Sequence, residues 1–302
     1  MSGRPDDSER FVRGLLALPD LQLRLDWLNA HVQSEPAQLL APLLDVVIGQ
    51  SEVGEARARE ALLTVALWAA GMARTVDLER LRAVAFEQRL LSLQRVIRRA
   101  PITSLPPEGT EPRIPDYGTG RELTLGERRN LARRSGRQRF DTLIKDPHPM
   151  VIRELLVNPK TTEDDLIRMA AYRPVRATTI LAIASTRWLA RPRVRMSVLQ
   201  NPGSPLSVAL PLVGLCTRAE LFELARAADV PPLIRITANE LVDRRPPMSE
   251  PPALRKSGQP KSSAALAAPD SDVDVDSDVD VDSDVDVDSE DADSDDSGPY
   301  LQ

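Results

Sequence analysis

Six arginines crowd one short run, GERRNLARRSGRQRF, as Arg128, Arg129, Arg133, Arg134, Arg137 and Arg139. A guanidinium is a permanent cation with a planar fork of donors, so several on one face can clamp phosphates or an acidic protein. On a helix Arg129, Arg133 and Arg137 follow at intervals of four and share a face, provided Gly136 does not end the helix first. No aromatic residue interleaves them, which leaves base stacking without support. The six are the candidate residues for an anionic partner, and a solvated arginine face is the alternative reading.

The other residue types able to do chemistry are scattered. His31 and His148 stand in separate regions with no cysteine or acidic cluster at ligand spacing, so no metal or other cofactor is expected. His148, in DPHPM, reads as a turn residue. Cys216, the single cysteine, follows a helical segment with no histidine nearby and reads as a buried structural thiol. The GTG at 118–120 lacks the rest of a phosphate-loop pattern and reads as flexible chain. Between residues 270 and 288 aspartates occupy every even position, with Val or Ser between them. Extended, that run would align all its carboxylates on one face. It lacks the turn glycine and terminal glutamate of a calcium loop, and its self-repulsion predicts disorder.

These residues must be positioned by a chain of 302 residues with 42% hydrophobic and only 3% aromatic content. Leu, Ala and Arg recur throughout, which favours helices packed through aliphatic ridges and predicts an all-α fold. The net charge of −6 divides sharply. Residues 270–297 hold fourteen Asp and one Glu, and without them 30 acidic residues face 39 basic ones. The chain is therefore a basic body with an acidic tail. Its first twenty residues do not resemble a secretory signal, and its longest apolar stretch, Ala61 to Ala73, is too short to span a bilayer. A cytoplasmic protein without a membrane segment is expected.

Helical punctuation runs from the start to about residue 100. Ser51 can cap one helix, and Thr75 or Asp77 can begin a longer one through Arg99, with Leu78, Leu81, Ala85, Leu90, Leu93 and Ile97 as its apolar stripe. Residues 101–120 are rich in Pro and Gly without hydrophobic period and read as a linker. Capping boxes then appear at Thr124 to Glu127 and Thr217 to Glu220. The segment 121–243 carries short helical stripes throughout, and from 244 to 302 Pro, Ser and charge replace all periodicity.

Within 121–243 the stretch VIRELLVNP returns as VRMSVLQNP. Pro149 and Pro192 are 43 residues apart, and so are Asn158 and Asn201. Thr161 or Thr162, and Ser204, stand as helix starts after each Asn-Pro, and a third copy begins at Pro232 without a closing Asn-Pro. A period near 40 built of helices too short to stand alone is what α-solenoid stacking requires. These residues resemble HEAT or armadillo repeats, more closely the diverged bacterial repeats with a Val-Arg…Asn-Pro pattern. The resemblance implies a curved stack of helix pairs whose concave face binds another macromolecule, with no catalytic residues to carry over.

The leading expectation is a non-enzymatic interaction or scaffold protein with a protein partner. Nucleic-acid binding by the basic body, with the acidic tail as an intramolecular competitor, is the second. An enzyme on a HEAT-like scaffold is the third, and it lacks a matched acid and base.

Overall fold

Several helix starts in this chain fall where a side chain accepts the unpaired amides of the first turn, as at Asp20, Thr124 and Thr217, and others open on a proline that has no amide to satisfy. The computed structural model describes residues 5–100, 114–173 and 177–245, all within the unit Met1–Glu250. Most of the expected linker and the acidic segment from residue 246 onward lie outside the described residues. The described chain is all-α, with no strand among the described residues.

The N-terminal set is α1 (Pro5–Leu16), α2 (Leu21–Ser34), α3 (Ala37–Glu52), α4 (Ala56–Leu67), α5 (Thr75–Glu87) and α6 (Leu91–Val96). Asp20 caps α2 by accepting from the Gln22 amide at 2.7 Å. Ser51 does not cap: it lies inside α3 with its hydroxyl donating to the Ile48 carbonyl, and Glu55 caps α4 instead. The longer glutamate reaches back over the first turn from just outside the helix, where Ser51 is already part of the preceding one.

The single helix expected from Thr75 through Arg99 is two. Arg89 takes φ 55, in the left-handed region, and the Leu90 amide donates back to the Ala85 carbonyl at 2.8 Å, closing the end of α5. The reversal lets α6 lay Leu93 and Val96 on α3 beside α5, burying both. Burial against a third helix outweighs the few tenths to one kcal/mol or so of turn strain that a non-glycine residue suffers there.

The remaining helices are α7 (Leu125–Arg134), α8 (Phe140–Leu143), α9 (Pro149–Leu156), α10 (Glu163–Ala171), α11 (Ala177–Ala184), α12 (Pro192–Leu199), α13 (Leu206–Val213), α14 (Arg218–Arg226) and α15 (Pro232–Val242). Reciprocal capping boxes open α7 at Thr124 with Glu127, α10 at Thr162 with Asp165, and α14 at Thr217 with Glu220. The 43-residue echo is a repeated hydrogen-bond device. After α9, the Asn158 amide donates to the carbonyls of Ala132 (2.8 Å) and Ser135 (3.4 Å) at the end of α7, while its oxygen accepts from the Lys160 amide. After α12, Asn201 does the same to Ala170 (2.6 Å) and Tyr172 (3.2 Å) at the end of α10, accepting from the Gly203 amide.

The hydroxyls that follow also match. Thr161 donates to the Leu155 carbonyl and Ser204 to the Val198 carbonyl, each six residues back. Ser204 thus finishes one helix and does not start the next. Both asparagines are buried, and each satisfies carbonyls that a helix end would otherwise leave unpaired. Val151 and Val194, 43 apart, are both fully enclosed.

One continuous core runs from Phe11 to Val242 and joins the N-terminal helices to those from α7 onward. One tight approach lies at the π turn Trp68–Met72, where a Cβ on Gly71 would overlap the Ala184 carbonyl at the end of α11. Charged ties add to it. Glu52 of α3 receives Arg95 (2.6 Å) and also Arg244 (2.6 Å), while Arg98 binds Glu240 and Thr237 of α15.

Candidate functional site

The arginine run lies on α7 and the 3₁₀ turn Arg137–Arg139, because Thr124 and Glu127 start the helix and Ser135–Gly136 end it. Gly136 therefore does break the helical face, as the sequence reading allowed. Its six guanidiniums part company. Arg128 is buried and grips both oxygens of Asp146 at 2.8 and 2.7 Å. Asp146 also accepts from the Tyr117 hydroxyl and, at 2.8 Å, from the His148 amide. Burial and this carboxylate together push the Tyr117 phenol far up, which keeps it a donor.

Arg129 and Arg133 converge on Glu154 of α9 at 2.8 and 2.9 Å. Their hydrogen bonds, Arg133 first, bring the Glu154 carboxyl down to about 2. Arg137 turns to Asp165 of α10, which Arg168 also binds at 2.6 Å. Burial pulls the Asp165 carboxyl upward, but Arg137, the Thr162 amide and Arg168 outweigh it and hold the group at about 2. Four of the six arginines thus tie α7 and its following turn to Asp146, Glu154 and Asp165 farther along the chain.

The guanidiniums of Arg134 and Arg139 have no hydrogen bond or ion pair among the described residues, and both residues are exposed. They border an open cleft of about 410 Å³ at the end of α7, together with Asn130, Gln138 and Ser135. Glu127 also borders it, but its carboxylate is bound by Arg121 and the Thr124 cap, which bring it to about 2. The Ser135 hydroxyl is buried without a hydrogen-bond partner. The cleft therefore offers two free cations, two side-chain amides and an unused hydroxyl, a donor set suited to a carboxylate or another oxyanion.

The other sequence candidates serve the fold. His148 caps α9, its ring nitrogen accepting from the Met150 amide at 3.2 Å. His31 stacks on Trp27 with ring centroids 4.7 Å apart. Burial pushes the Cys216 thiol up to about 12, the state of an unreactive packed cysteine. The two glycines of GTG are required: Gly118 and Gly120 adopt φ 69 and 70 in a turn where the Asp116 carboxylate accepts from the Gly118 amide. Tyr117, beside them, was read as linker. A lone Tyr before a Gly-Thr-Gly turn was its one signal, and its partner Asp146 is 29 residues away.

No group of three or more His, Cys, Asp or Glu among the described residues is placed to hold a metal ion. Among the described residues, no helix is long and apolar enough to cross a membrane. No known protein family, curated protein or solved structure matches this chain.

Proposed function

We propose that the protein is a non-enzymatic, HEAT-like helical-repeat scaffold that binds an acidic segment of a protein partner in the cleft between Arg134 and Arg139. The observation that carries this reading is the division of the arginine run: four guanidiniums neutralised at home, two left free beside a concave donor-lined surface. The repeated Asn158 and Asn201 devices support a solenoid-like order for residues 121–243, since each joins a helix to the end of the one two before it. The reading sets the protein in the cytoplasm, with the acidic tail as an appendage.

Binding without bond-making fits the state of the buried carboxylates. Asp146, Glu52, Asp77 and Asp165 each face at least one guanidinium within ion-pair distance, so each is engaged in a structural ion pair and not left free to take a proton from a substrate.

Fluorescence anisotropy of a labelled oligo-aspartate peptide tests this on the full chain. The expected result is saturable binding that weakens steeply between low and physiological salt; no binding at low salt would overturn it. An oligonucleotide that binds more tightly than the peptide, and more tightly again once residues 258–302 are deleted, would replace this reading with nucleic-acid binding checked by the acidic tail.

A further inference from the structure

A second set of arginines, invisible as a cluster in the sequence, surrounds a cleft of about 260 Å³ between α4, the start of α12 and the loop after α13. Arg59, Glu60 and Arg195 border it, with Gly214, Leu63 and Leu215. Arg245 is held on the Gly214 carbonyl and is only 4% exposed. Its Nε and Nη1 are buried with no hydrogen-bond partner.

None of these three guanidiniums has a carboxylate within ion-pair distance among the described residues. Arg195 is met by backbone carbonyls alone, those of Ala190 at 2.7 Å and Leu189 at 3.2 Å. The acidic groups nearby are engaged elsewhere. Glu52 is bound by Arg95 and Arg244, Glu60 by Arg24 at 2.7 Å, and Glu220 by the amide of Thr217. Burial pushes the Arg195 and Arg245 guanidiniums below the ordinary arginine value, and the charge of Arg59 adds to this at Arg245, while Glu220 works against it at Arg195 and Glu52 at Arg245.

Arginine does not shed its proton in a folded protein, so buried positive charge of this kind is costly until an anion answers it. Other buried guanidiniums of the molecule meet carboxylates, as Arg95 and Arg128 do. Here Glu220 and Glu52 act only from beyond ion-pair distance, which leaves the cleft open to an anion from outside. We propose that this cleft is an oxyanion site that takes a phosphoryl group, with Arg59 and Arg195 as its charged walls and Arg245 as the buried charge beside Gly214. A dianionic phosphate monoester matches several converging guanidiniums better than a single carboxylate does, and the apolar flank of Leu63 and Leu215 suits the carbon atoms next to the ester. The cleft is too small for a nucleic-acid strand.

Thermal denaturation of the full chain tests it, with inorganic phosphate as the probe against sodium chloride at matched ionic strength. The Tm should rise by about 3–6 °C at phosphate tenfold above its Kd. Arg59 is exposed and unpaired, so Arg59→Glu need not disturb folding. It should raise the Tm without phosphate, by supplying the missing anion, and abolish the phosphate response. Arg134→Ala with Arg139→Ala should leave the phosphate response intact, which separates this site from the cleft at the end of α7. No phosphate response in the wild type, or an undiminished one in Arg59→Glu, would overturn the proposal. Calorimetric titration with a phosphoserine peptide and with a sugar phosphate then tells the source, the tighter of the two naming the carrier of the phosphoryl group.

Discussion

The N-terminal helices and the segment from α7 to α12 solve the same problem, where to put the polar ends of helices, in different ways. α2, α3 and α4 run 12 to 16 residues and bury long aliphatic faces, so their ends reach water or a cap on their own chain, as at Asp20 and Glu55. α9, α10, α11 and α12 are eight or nine residues each, and an end is never far from the core. The carbonyls at the ends of α7 and α10 are met by a buried side chain that follows another helix, Asn158 after α9 and Asn201 after α12. Short helices thus force polar residues inward, and each then needs a partner.

Disrupting the inward polar groups should cost more than disrupting the outward caps. The largest effect is expected at Asp146, whose loss in Asp146→Ala leaves Arg128 buried without its carboxylate and Tyr117 without its acceptor. A destabilisation of about 3–5 kcal/mol should appear as a lower denaturant midpoint at unchanged slope. Asn158→Ala and Asn201→Ala each strand carbonyls and an amide, and each should cost about 2 kcal/mol in the same measurement. Equal costs for the two would support their equivalence as repeat positions. Asp20→Ala, an outward cap, should cost only about 1 kcal/mol.

Acid probes the same contrast. Asp165, buried among Arg137, Arg168 and Thr162, has a folded-state value of about 2, below the ordinary carboxylate value of about 3.9. Its stabilisation is complete above that ordinary value and is lost as pH falls from about 4 to about 2. Asp165→Asn should flatten the acid limb of a Tm-against-pH curve in that window. An unchanged limb would remove Asp165 from the account.

The contrast also explains what the sequence discloses. Asn158 and Asn201, with Thr161 and Ser204, are legible because each repeat must place the same polar atoms at the same offset, and a 43-residue spacing survives where the aliphatic positions drift. The capping boxes at Thr124 and Thr217 are legible because each is closed within four residues, while the one at Thr162 is legible only as a helix start. The break at Arg89 is not, because it depends on α6 finding a berth on α3, a contact made across 48 residues. The partners of the arginine run were hidden too. Glu154 and Asp165 lie 21 and 28 residues from Arg133 and Arg137, so sequence showed six cations where folding leaves two. Arg59, Arg195 and Arg245 are farther apart still, and only the fold gathers them.

The most direct measurement of the central claim compares two variants that remove the same charge from the same run. Peptide affinity is measured by anisotropy for Arg134→Gln with Arg139→Gln, and for Arg129→Gln with Arg133→Gln. The account predicts a loss of about tenfold or more, equivalent to about 1.4 kcal/mol, for the first pair and less than about threefold for the second. Equal losses would mean that the peptide senses only the net charge of the helix, and that the division between paired and free arginines does not direct binding.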